Sequence, residues 1–147
     1  MRYEHRFRVQ ATQQAVADFH RHAWALKALT PPMFPMRIHH APEPLKDGDH
    51  VVFTLWMGPA PLRWDSRIED VSVQGFTDVQ EQGVFGSWQH RHTFAEVDRA
   101  TTEVVDEIEA TLPHQPGRWV LALAMWVGLP MLFAYRAWRT RHLLEQP

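Results

Sequence analysis

The sequence predicts an α+β fold, a seven-stranded antiparallel curved sheet wrapped around a long C-terminal helix in the order β-α-α-β6-α. Three observations predict it. The start of the chain and most of residues 50–112 alternate apolar and polar side chains, the period of a half-buried strand. Residues 12–29 are instead spaced as short helices. Trp119 to Tyr135, WVLALAMWVGLPMLFAY, carries no charge and lies between Arg118 and the basic cluster Arg136, Arg139, Arg141. A helix with no polar face has to be buried. A meander of consecutive strands curls through its twist, and its concave side is the place where such a helix can sit.

In chain order, Tyr3, His5, Phe7 and Val9 alternate with Glu4, Arg6 and Arg8, which reads as a strand with one wet face. Thr12 can cap a helix through Gln13 to His20, on which Val16, Phe19 and the later Ala23 fall near one side. A second piece, Trp24 to Leu29, stops at Thr30-Pro31-Pro32, because the residue before a proline is pushed out of the helical region. Five prolines between Pro31 and Gly48 leave room for one short strand at Met36 to His40. Val51 to Met57 and Leu62 to Val73 flank Gly58-Pro59-Ala60-Pro61 as a hairpin, with Leu62, Trp64, Ser66 and Ile68 on one face and Arg63, Asp65, Arg67 and Glu69 on the other. Gly75 to Gln80, Phe85 to Phe94 and Thr101 to Leu112 complete the strands. The last of these shows Val104, Asp106, Ile108 and Ala110 together.

Composition narrows the function classes. The 147 residues suit one domain, 1–147, with one hydrophobic core. A net charge of −2 gives no electrostatic footprint for nucleic acid. Absence of cysteine removes disulfides, thiolate nucleophiles and cysteine-bound zinc, and leaves imidazole and carboxylate chemistry. MRYEHRFRVQ has no apolar core of a secretory signal, so a cytoplasmic location is expected. The uncharged run falls short of the roughly 20 residues of a bilayer-spanning helix, and Gly128 and Pro130 interrupt it. Its apolarity nonetheless admits peripheral membrane contact or a homodimer.

Residues 76–94, FTDVQEQGVFGSWQHRHTF, carry F-x-D-x-Q, then G-x-F, then W-x-H-x-H-x-F. Together with Leu29-Thr30-Pro31-Pro32, Trp64-Asp65-Ser66-Arg67-Ile68 and Phe133-Ala134-Tyr135-Arg136, this pattern resembles the ligand-binding bacterial branch of the START and polyketide cyclase superfamily, the SRPBCC proteins. The resemblance extends over essentially the whole chain. It implies a helix-grip fold with an internal cavity between sheet and C-terminal helix that accepts apolar or amphipathic molecules. It does not select one molecule, since carriers, cyclases, dehydratases and regulators share the scaffold.

On the strand ending at Phe94, the side chains of Trp88, His90, His92 and Phe94 share a face. A three-residue turn at Gln82 to Val84 would add Phe76, Asp78 and Gln80 to that face, with Asp78 opposite Trp88. The next hairpin is expected to set Asp106 opposite His90 and Val104 opposite His92. The leading reading is a binder or carrier of a hydrophobic, lipid- or polyketide-like molecule. Its cavity is walled by Trp64, Phe76, Trp88, Phe94, Trp126 and Phe133 and toned by Asp78, His90, His92 and Asp106. On the helix, Trp119, Leu123, Trp126, Pro130 and Phe133 form the stripe expected to face inward. A second reading is a cyclase or dehydratase in which Asp106 orients His90 for proton transfer. A third is a membrane-associated protein whose helix leaves the sheet. The plainest use of the same residues is a satisfied polar network that fixes strand register. His-x-His on a strand offers two metal ligands on one side, but spacing places no third, so neither a metal nor another cofactor is expected.

Overall fold

The computed structural model describes residues 1–145. β1 (Arg2–Val9) leads into α1 (Gln13–His20) and α2 (Ala23–Ala28). Then come β2 (Met36–His40), β3 (His50–Met57), β4 (Ala60–Ser72), β5 (Gly75–Gln82), β6 (Ser87–Asp98) and β7 (Thr101–Thr111). The chain closes with α3 (Pro116–Val127) and α4 (Leu129–Leu144). Among the described residues the strands make one antiparallel sheet in the order β1-β7-β6-β5-β4-β3-β2, so the first strand pairs with the last. This is the expected α+β helix-grip architecture.

Local chemistry accounts for the elements. Thr12 caps α1, its Oγ1 accepting the Ala15 N–H at 3.1 Å, and Val16, Ala17 and Phe19 turn inward. Gly58, at φ +59°, takes the first position of the two-residue loop that joins β3 to β4 between Met57 and Ala60. The long alternation of β4 is realised: Leu62, Trp64, Ser66 and Ile68 are buried. The Trp64 indole N–H donates to Ser66 Oγ at 2.9 Å, which satisfies the ring's polar edge inside the sheet's concave face.

The C-terminal helix differs from expectation in two ways. It is two helices, bent by 47° at Gly128. Pro130 sits in the first turn of α4 and has no N–H to give to the carbonyl of Trp126, so the ladder cannot run through. The inward stripe is also different. Of the expected set only Phe133 is buried, while Trp119, at 42 % exposure, and Leu123, at 36 %, face outward, Pro130 is exposed and Trp126 is half-buried. Ala122, Leu129, Phe133, Ala137 and Thr140 form the buried line instead. The reason is the bend: α4 follows the sheet, and α3, turned off that axis, buries Ala122 alone. No single helix among the described residues is long and apolar enough to cross a membrane; α3 and α4 reach that composition only across the bend.

Candidate functional site

Three adjacent strands place four ionisable side chains under α4. Asp78 comes from β5, His90 and His92 from β6, and Asp106 from β7. The register differs from the expected one by two residues on both sides of β6. Asp78 pairs with His90 rather than Trp88, His92 with Asp106, and Phe94 with Val104. The β5–β6 connection is longer than three residues because Gln80 ties it, its Nε2 donating to Phe85 O at 2.9 Å while its Oε1 accepts the Phe85 N–H at 3.2 Å. A two-residue slip is an even number, so every side chain keeps its face and the four groups still converge. Gly75, at φ +139°, lets β5 start hard against β6: a Cβ there would lie 1.9 Å from the His92 carbonyl oxygen.

The four groups are cross-linked. His90 Nε2 donates to Asp106 Oδ1 at 2.8 Å, and His92 Nε2 donates to Asp78 Oδ2 at 2.9 Å. His92 Nδ1 lies 3.2 Å from Asp106 Oδ1, whereas His90 Nδ1 stands 3.6 Å from Asp78 Oδ2, beyond hydrogen-bond reach. The two rings are 3.8 Å apart between centroids. Burial on its own would pull His92 down, but its bonds to Asp106 and Asp78 and their negative charges push it up to about 9. Burial and the neighbouring His92 lower His90 instead. Burial opposes ionisation of both carboxylates, yet the hydrogen bonds and charges of the histidines hold Asp78 and Asp106 below the usual carboxylate range. Two imidazoles on one strand thus titrate in opposite directions.

Two further residues, to which the sequence reading assigned no role, complete the site. Arg136, from α4, places its guanidinium 5.3 Å from the Phe133 ring centroid, and its buried Nε has no hydrogen-bond partner among the described residues. Burial lowers its pKa against the pull of Asp106 and Asp78. His20, at the end of α1, packs 4.8 Å from Phe94 and 6.3 Å from His92 between ring centroids. Burial lowers it to about 4, the strongest opposing effect being its hydrogen bond to Val16 O.

A cavity of about 250 Å³ lies against this cluster. Trp64, Phe76, Trp88, Phe133 and all four quartet residues line it, as do Arg136, His20 and Thr140. Phe94 and Trp126 do not. Phe94 is 1 % exposed and fills the core beside Phe7, Val9 and Ala137, and Trp126 packs edge-on against Tyr3 and Phe85.

The titration of His20 sets an acid limit on stability. An unfolded His20 takes up its proton near its ordinary 6.5, and the folded one resists until about 4. Stability is therefore full above pH 6.5 and falls as the pH drops through that window, by up to about 3 kcal/mol from this group. His92 works in the opposite sense: its contribution is present below pH 6.5 and is lost as the pH rises toward 9. Thermal unfolding followed across pH should show both limbs. In His20→Leu the acid limb between pH 6.5 and 4 should become shallower, leaving the part that His90 contributes; an unchanged limb would show that His20 is already charged in the fold.

No protein-family model matches the sequence, and no curated protein sequence matches it. Its fold does match solved structures. A START superfamily protein from Mycobacterium smegmatis matches with a TM-score of 0.68 at 14 % identity, over 99 % of this chain and 97 % of that one. The Zhui aromatase/cyclase from Streptomyces sp. R1128 matches with a TM-score of 0.67 at 15 % identity, over 97 % and 95 %. A nucleoside-diphosphate sugar epimerase from Corynebacterium glutamicum matches with a TM-score of 0.70 at 23 % identity, over 97 % of this chain, which spans 29 % of the epimerase's length. The architecture built above from strand alternation and the gripped helix is therefore the helix-grip fold that these solved structures share.

Proposed function

We propose that this chain binds a compact hydrophobic or amphipathic small molecule, lipid- or polyketide-like in chemistry, in the cavity between sheet and α4. The observation that carries this reading is a cavity whose walls are mostly rings and aliphatic side chains while one wall is a quartet of ionisable groups. Such a division orients a molecule with an apolar body and one polar head. At about 250 Å³ the space lies just under the range of roughly 300–1,000 Å³ typical of ligand sites, which favours one or two rings over an extended acyl chain. The Arg136 guanidinium, whose buried Nε has no hydrogen-bond partner among the described residues and which lines the cavity, supports a carbonyl or acidic head.

One observation favours a second reading, an enzyme of the cyclase or dehydratase kind. With Nε2 donating to Asp106, His90 keeps its Nδ1 lone pair free, and its lowered pKa leaves it unprotonated near neutrality. That is the condition of a general base held by a carboxylate. His90→Gln separates the readings. In a binder, affinity for an apolar probe, read by tryptophan emission and by the rise in unfolding temperature, should change by no more than about tenfold. In an enzyme, turnover should fall by roughly 10²–10⁴ while binding persists. If no apolar compound shifts emission or unfolding temperature in the parent protein, ligand binding in the cavity is refuted.

A further inference from the structure

We propose that Asp78, His90 and His92 form a binding site for a divalent transition-metal ion of the zinc class, with Asp106 as the outer carboxylate and the cavity as the open coordination side. Sequence spacing offered two ligands on β6; the fold supplies the third from β5. One ligand atom from each residue falls within 4.8 Å of the others. Asp78 Oδ2 is 2.9 Å from His92 Nε2 and 3.6 Å from His90 Nδ1. Ligands about 2.1 Å from a tetrahedral ion stand about 3.4 Å from one another, so the two Asp78 separations need at most about half an ångström of adjustment, and the two imidazole nitrogens, within 4.8 Å of each other, close on the ion by rotation of the rings.

The second line of support is the role left for Asp106. It lies 2.8 Å from His90 Nε2 and 3.2 Å from His92 Nδ1, in each case the ring nitrogen turned away from Asp78. A carboxylate that takes the far N–H of each imidazole fixes the tautomer and aims the other lone pair at the ion, as outer carboxylates do at metal-bound histidines. Here one carboxylate accepts from His90 and stands 3.2 Å from the far nitrogen of His92, close enough to take its N–H after a small turn of the ring. Charge is compatible as well. Binding displaces any proton held on the two imidazoles; with both neutral, Asp78 and Asp106 exceed Arg136 by one negative charge, a divalent ion reverses the sign, and a hydroxide or an anionic ligand head at the open position restores balance.

The test uses the full chain, treated with chelator and free of any apolar ligand, so its failure would leave ligand binding in the cavity untouched. Zinc titrated calorimetrically should bind at one equivalent, and the cobalt(II) form should show intense visible bands of low coordination. X-ray absorption of the zinc form should show imidazole scattering. Asp78→Asn combined with His92→Gln should weaken zinc about 100-fold or more, and Asp106→Asn about 10–100-fold. His39→Gln combined with His40→Gln, on β2, should change nothing. The proposal is overturned if the parent shows no saturable zinc binding or no imidazole scattering, if the folded Asp78/His92 variant keeps its affinity, or if the His39/His40 variant loses it. Should the Asp78/His92 variant fail to fold, the spectra of the unaltered protein decide.

Discussion

A chain ending at Gly128 is expected to show no cooperative unfolding transition. Such a truncation removes α4, and with it Leu129, Phe133, Ala137 and Thr140, each no more than 5 % exposed, from the concave face of the sheet. Phe133 alone touches the rings of Tyr3, His5 and His90 and lies under the Arg136 guanidinium. Truncating a ring in such a position costs about 3–5 kcal/mol, and a buried leucine about 2–5 kcal/mol. Together these approach the roughly 5–15 kcal/mol by which a whole domain is stable. Phe133→Ala should therefore lower the urea midpoint sharply. Val127→Ser and Met131→Gln, on the outer face, should stay within about 0.5 kcal/mol. A cooperative transition in the truncated chain would show that the sheet closes without its helix.

Asp106→Ala is expected to cost about 3–5 kcal/mol at pH 7, because it removes one carboxylate from a buried ion-paired cluster and leaves the His90 Nε2–H without its acceptor. His92 would then retain Asp78 alone, and its pKa should fall from about 9 toward the ordinary value. Asp106→Asn should cost less, since the amide oxygen still accepts one imidazole N–H. The coupling is readable: Asp106→Ala and His92→Phe together should cost clearly less than the sum of the two alone. Urea unfolding of the four proteins and proton titration of the ring by NMR measure both effects. A loss under about 1 kcal/mol for Asp106→Ala would mean that the cluster is open to water and adds little to stability.

The strands and their faces were legible because alternation records which side of a strand meets water. Trp64, Trp88, His90, His92 and Asp106 lie on the face that period two assigns them. Register was not legible, since it depends on how Gln80 ties the β5–β6 loop and on the bulge between Glu96 and Asp98 in the next hairpin. Nor was the outward turn of α3. Hydrophobicity states which side chains gain from burial, but not whether the sheet extends far enough to cover them. Arg136 passed for part of a basic flank. The available signal was its place three residues after Phe133 and four before Thr140, on the side of α4 that carries the inward line. His20 gave a similar hint, four residues after the buried Val16.

The pairing of the first strand with the last governs how the chain is made. Tyr3 lies beside Ile108, so β1 has no edge to join until β7 has been synthesised, a wait of roughly 5–20 s at ribosomal speed. The strands from β3 to β7 can meanwhile assemble as successive hairpins, each from neighbouring sequence. During that interval Phe7 and Val9 have no cover and the backbone of β1 has no ladder. Arg2, Glu4, Arg6 and Arg8, all on the opposite face, are the side chains that discourage another nascent chain from taking the place reserved for β7. The polar face of this strand is thus a safeguard for biogenesis, needed before the protein has a cavity at all.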